Sequence, residues 1–185
     1  MNLKKYKHKH KRAVLPNDLK GFPCGKVFSA SLFEKICFPE GFWFEDSIMA
    51  LIVYPCSKKN VIIPDMVYIY RYNDKSISNT FSKSKKAIDT YWVTEKIVNE
   101  RAVADLSWHA SDYIRVCEQF VVNYKRTSGM DDDVQKAIFV CTGALIERIG
   151  LDEVSCPKKF KSLIRSFETK DFGQYAFFCK TYFFE

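Results

Sequence analysis

The sequence holds no CxxC pair, and none of its seven cysteines, at 24, 37, 56, 117, 141, 156 and 179, stands beside a histidine at metal-ligand spacing. That scatter excludes a cysteine-based zinc framework and points to reduced thiols, most of them buried, in a cytoplasmic protein. Long apolar runs are missing too. SIMALIVYP and AIFVCTGALI are each interrupted within about ten residues, half of what a membrane-spanning helix needs. The basic opening MNLKKYKHKHKR has no apolar stretch behind it, so it does not read as a secretory signal. No repeat period is evident. The expectation is a cytoplasmic chain with at most peripheral contact at the inner membrane face.

What is present suits a folded core. Of 185 residues, 47% are hydrophobic and 16% aromatic, enough to fill the interior of one domain or two small ones and too much for a disordered chain. The formal charge of +7 favours a partner carrying phosphate: nucleic acid, a sugar nucleotide or an anionic membrane face. Nucleic acid fits least, because the basic residues are dispersed and the aromatics follow core spacing rather than forming a stacking platform. The run KKYKHKHKR, with His8 and His10 interleaved, allows a nucleic-acid patch or a two-histidine metal clip, but reads best as a solvated tail.

Three regions are expected: a basic segment over 1–17, a small α/β part over 18–85, and a helical region over 86–185. In DLKGFPCGKVFSASLFEKI a Gly/Pro loop feeds a short helix with Leu32, Phe33 and Ile36 on one face. Ile48, Leu51 and Ile52 then recur at helical spacing until Pro55 stops the run. NVIIPDMVYIYRYN reads as two short strands split by Pro64 and Asp65, and NDKSISNTFSKSKK as a mobile loop. Beyond Ala87 three apolar stripes predict helices: Tyr113, Val116, Cys117, Phe120, Val121 and Tyr124; Val134, Ile138, Cys141, Leu145 and Ile149; Phe160, Leu163, Ile164 and Phe167. SGMDDD and SCPKK separate them. The tail YAFFCKTYFFE is expected to bury its aromatics on the preceding helices rather than on a lipid surface.

One acidic pair stands out. Glu45 and Asp46 follow Phe42, Trp43 and Phe44 and open the helical run at Ile48, where the helix dipole favours an ionised carboxylate. Read from the residues alone, the pair caps a helix. From Gly25 to Ser78, however, GKVFSASLFEKICFPEG, then FED, then KKNVIIPDMVYIYRYNDKSIS resemble, in order and approximate spacing, the C-terminal half of the catalytic domain of family 2 glycosyltransferases. These are inverting bacterial enzymes of GT-A type that build cell-surface polysaccharides. The resemblance implies Asp46 as the base that deprotonates an acceptor hydroxyl, with Glu45 beside it. It implies Lys26 and Arg71 as cations for the donor diphosphate, Trp43 as an apolar face for a sugar ring, and Ser76 on a loop over the donor. Read plainly, Lys26 is an ordinary loop lysine and Arg71 borders an edge strand.

The resemblance also implies a nucleotide-sugar donor, a glycan or lipid-linked acceptor, and Mg²⁺ or Mn²⁺ in the complete enzyme. The family's apolar first strand and its D-x-D metal ligands do not precede Gly25, so the chain looks like a transferase lacking its donor-binding half. Asp131 to Asp133 formally contain D-x-D but lead into helical spacing and read as a helix start. The alternative is a non-catalytic remnant or a helical protein-interaction module.

Overall fold

A computed structural model of the chain describes residues 12–14 by their backbone, and residues 19, 21–63, 65–69 and 71–183. The basic run at 1–11, with His8 and His10, lies outside the described residues. The chain is helix-dominated, as the sequence predicts. Its strands among the described residues are β1 (Arg12–Val14) and β2 (Asn60–Ile62), paired antiparallel with Ala13 opposite Val61. The expected GT-A-like α/β part finds no support in a two-stranded ribbon. Met66, Val67, Tyr68 and Ile69 are exposed and in no strand, as are Arg71 and Tyr72. Their β-branched and aromatic character suits a strand, but strand structure needs a paired strand, and among the described residues β2 pairs with β1 alone.

Helical segments carry the rest. A 3₁₀ turn at Ala30–Phe33 places Leu32 and Phe33, with Ile36 just beyond it, against Met49, Val53 and Tyr54. The stretch from 45 to 56 is helical throughout but changes pitch: a 3₁₀ turn at Glu45–Ser47, a π turn at Met49–Val53, then α1 (Tyr54–Cys56). Pro55, expected to stop this run, does not; it sits in the first turn of α1, where a missing N–H is tolerated, and the helix ends with Ser57 as its C-cap. The stretch read as a mobile loop contains α2 (Ile77–Thr80) and 3₁₀ turns at Phe81–Lys83 and Lys85–Ile88. Thr80 there donates its hydroxyl to the carbonyl of Ser76, a local bond that apolar periodicity cannot reveal.

The longer helices are α3 (Asp89–Val103), α4 (Ala110–Thr127) and α5 (Asp132–Arg148), followed by α6 (Lys161–Glu168) and α7 (Phe172–Thr181). Asp131 stands at the N-cap of α5, with Asp132 and Asp133 in its first turn, so the formal D-x-D opens a helix as read from its context. At the other end of α5, Gly150 adopts φ +64°. Its N–H bonds the Glu147 carbonyl while Leu151 N–H bonds that of Ile146, a left-handed close that glycine makes without strain.

Val116, Cys117, Phe120 and Val121 of α4 are fully buried, as are Phe160, Leu163 and Ile164. On α5 the stripe is offset: Ile138, Leu145 and Ile149 are buried, but Cys141 is exposed while Phe139 and Ile146 turn inward. The thiols are less buried than expected. Cys117, Cys156 and Cys179 are buried, Cys24 and Cys56 are half-buried, and Cys37 and Cys141 are exposed; all seven are unpaired. Ile48, Leu51 and Ile52 join the same apolar cluster as α3 to α7, so the acidic pair's helical stretch is seated against the C-terminal helices.

The tail packs inward. Tyr175 and Cys179 are buried, and the Tyr175 ring meets those of Tyr124, Phe139 and Phe167. Phe177 and Phe183 remain exposed, and no described helix is long and apolar enough to cross a membrane. Liposome binding is therefore expected to be weak and to vanish in high salt. Strong binding that survives high salt, measured by co-sedimentation, would contradict this packing.

Candidate active site

Asp46 is the centre of the candidate site, and its surroundings do not resemble a cap. No side chain caps the 3₁₀ turn at Glu45–Ser47, whose N-cap position is Phe44. Phe44 is buried with φ +65°, a left-handed conformation that a bulky residue adopts only when its surroundings enforce it. Its ring is held between the guanidinium of Arg126, 3.8 Å from the ring centre, and the ring of Phe81 at 5.9 Å. The twist at Phe44 turns the chain so that Asp46 comes toward α4.

Burial pushes the Asp46 carboxyl above its ordinary pKa, a shift that the Arg126 charge opposes and the neighbouring Glu45 adds to. Arg126 is itself drawn out of water, and burial lowers its pKa to about 10 against the pull of Asp46. Its Nη1 donates to Thr90 Oγ1 at 3.1 Å. A carboxylate whose charge is disfavoured by burial holds a proton more readily than a solvated one, which suits a group that must accept a proton during a reaction.

The aromatic segment before the pair divides by exposure. Phe44 is buried and unavailable to a ligand, whereas Phe42 is exposed and Trp43 half-exposed. Trp43 is positioned through its backbone: its N–H donates to Asp89 Oδ2 at 2.8 Å. Asp89, at the start of α3, also pairs with Lys86 at 3.0 Å, and Lys86 Nζ reaches the Gly41 carbonyl at 2.6 Å. The loop before the acidic pair is thus fastened to the beginning of α3.

Lys26 lies elsewhere. Its Nζ donates to the Phe22 carbonyl and sits 4.3 Å from the centre of the Phe22 ring and 6.0 Å from that of Tyr54. Partial burial lowers its pKa. A link to the site runs through Tyr54, whose hydroxyl donates to Phe22 O and whose pKa is pushed up to about 12, by burial first and also by the charge of Asp46. Arg71 is exposed, and Ser76 is the N-cap residue of α2. Among the described residues no hydrogen bond, ion pair or ring contact joins either to Asp46.

Glu45, Asp46 and Trp43 are close along the chain, Lys26 is at one remove, and Arg71 and Ser76 belong to another segment. Arg126, Asp89 and Thr90 were missed. The last-turn position of Arg126 reads as a cation placed for the helix dipole, and nothing in the pattern ties it to a residue eighty positions earlier. No group of histidine, cysteine, aspartate and glutamate side chains suited to a metal occurs among the described residues. Comparison with protein-family models, with curated proteins and with solved structures gives no match for this chain.

Proposed function

We propose that this chain supplies the acceptor side of a sugar-transfer site, with Asp46 as general base. In the inverting reaction implied by the resemblance, the acceptor hydroxyl oxygen attacks the anomeric carbon and its proton passes to Asp46. The bond from that carbon to the diphosphate breaks, and its electron pair leaves with the nucleoside diphosphate. The observation that carries the reading is the partly buried carboxyl of Asp46, its pKa raised by burial, which follows a left-handed Phe44 and a fastened loop that leaves Phe42 exposed and Trp43 half-exposed. The charge of Arg126 opposes the upward shift and favours the ionised carboxylate. The divalent metal and the donor-binding groups are assigned to a separate polypeptide or segment.

A second reading, a non-catalytic interaction module, draws support from the exposed run in which Met66, Ile69 and Tyr72 are 83%, 77% and 76% accessible, since apolar surface of that kind commonly marks a contact site. Titration of the full chain with short oligosaccharides, followed by nuclear magnetic resonance, separates the two. The transferase reading expects shifts at the Trp43 indole and the amides of Glu45 and Asp46. Silence there, or shifts confined to other surfaces, would remove it and leave the interaction module. In the same chain, calorimetry is expected to show no binding of UDP that depends on Mn²⁺. Micromolar UDP binding that requires Mn²⁺ would show that the donor groups are encoded here after all.

A further inference from the structure

A groove of about 480 Å³, lined in part by Arg126 and not by Glu45 or Asp46, opens between the 3₁₀ turns that precede α3 and the connection from α4 to α5. We infer that this groove is a separate binding site for a small phosphorylated molecule, with Arg126 and Lys85 as its cationic contacts. The inference does not depend on Asp46 acting as a base.

Arg126 carries the argument. A guanidinium has five N–H donors, and those of Arg126 make one hydrogen bond among the described residues, to Thr90. Its Cζ lies 3.8 Å from the centre of the Phe44 ring, a contact that together with the Thr90 bond limits where the fork can turn. No described carboxylate lies within ion-pair distance of it; Asp46 acts on it only through space. A desolvated, oriented and unpaired fork at a groove wall matches the geometry of phosphate oxygens.

The rest of the groove fits the same ligand. Lys85 is exposed on the rim and makes no ion pair among the described residues, unlike its neighbour Lys86, which is committed to Asp89. Ser82 and Ser84 add hydroxyls to the wall; Ser84 Oγ accepts from Lys86 N–H at 3.2 Å, which leaves its own proton free to point outward. Ile88 and Met130 give an apolar side suited to the organic part of a phosphate ester. Asp131 on the rim opposes a second anionic group and favours a ligand that also carries a hydrogen-bond donor. The floor is built closely: a Cβ on Gly129 would come within 2.9 Å of the Ser82 carbonyl oxygen, so a side chain there would push the two walls apart.

Calorimetry of the full chain with inorganic phosphate and with phenyl phosphate tests the site. Both are expected to bind, phenyl phosphate the tighter because of the apolar wall. Arg126→Met should weaken binding by about tenfold or more, the scale of a lost charge-assisted contact. Lys85→Met, on an exposed side chain that leaves the fold alone, should weaken it by a smaller factor. Arg126→Lys, which keeps the charge but not the fork, should fall between wild type and Arg126→Met, and Lys180→Met on α7 should change nothing. Absence of phosphate binding to the wild type overturns the assignment, as does binding that is unchanged in Lys85→Met and Arg126→Lys, or that is weakened as much by Lys180→Met.

Discussion

Replacing Asp112 by alanine is expected to destabilise the protein by about 3–5 kcal/mol, the cost of leaving one member of a buried ion pair without its partner. Arg101 and Asp112 are both nearly inaccessible and meet at 3.0 Å. The guanidinium also donates through Nη1 to the Leu51 carbonyl at 2.5 Å and through Nη2 to that of Ser107 at 2.6 Å, and lies 4.2 Å from the centre of the Trp108 ring. Burial drives its pKa down, and Asp112 opposes that shift; without the carboxylate a charged group would be stranded in the interior. Asp112 has a second task, since its Oδ2 accepts the His109 N–H at 3.1 Å and so closes the start of α4.

For a chain of this size each kcal/mol moves the midpoint of thermal unfolding by about 2–4 °C, so Asp112→Ala should melt roughly 6–20 °C lower by calorimetry or circular dichroism. Arg101→Met should also destabilise, because Asp112 and the Leu51 carbonyl lose a donor. The double variant Arg101→Met with Asp112→Leu should lose less than the two single changes summed, since it strands no charge. An Asp112→Ala protein that melts within two or three degrees of wild type, on the same scale, would show that the pair adds nothing to stability. The Leu51 contact gives the pair a bearing on the site: Arg101 ties the helical stretch that begins at Glu45 to α3, to the loop after it and to α4.

How much of this was readable in the sequence depends on how local the cause is. The α4 stripe and the start of α5 follow from side-chain spacing and from aspartates at a helix N-terminus, both local, and they are where the sequence puts them. Helices at 77–80 and 85–88 are too short to show a period and are held by Thr80 and Ser84 side-chain bonds. Residues 66–69, 71 and 72 have strand chemistry but lie in no strand, and pairing is not a property of one segment. At the candidate site, Asp46 stands out in the sequence as one of an acidic pair directly after three aromatics and before an apolar helical run. Arg126 does not, because its link to Asp46 depends on how α4 crosses the 45–56 stretch and on a left-handed turn at Phe44 that no residue type announces. Arg101 likewise reads as a last-turn cation until the fold closes around it.

On the proposed reading, Asp46→Asn is expected to lower sugar transfer by about 10²- to 10⁴-fold, the usual contribution of a general base, once the donor side is supplied. Asparagine keeps the size of the side chain but cannot take the acceptor's proton, so the loss should fall on turnover, with donor affinity nearly unchanged. Glu45→Gln should cost less if Glu45 only adds to the local field. Stability gives an independent readout in this chain alone. Because burial raises the folded-state pKa of Asp46 above its ordinary 3.8, the neutral carboxyl favours folding. That contribution is complete below 3.8 and is lost as pH rises through the raised value. At neutral pH, Asp46→Asn should therefore melt higher than wild type, and the difference should disappear in acid below 3.8. A carboxylate that merely starts a helix would behave in the opposite way, with Asp46→Asn melting lower at neutral pH because the ionised form was the stabilising one. Lower turnover together with a higher melting temperature is the signature of a residue kept for chemistry at the expense of the fold. Near-normal turnover, or a neutral-pH melting temperature below wild type, would end the assignment of Asp46 as the base.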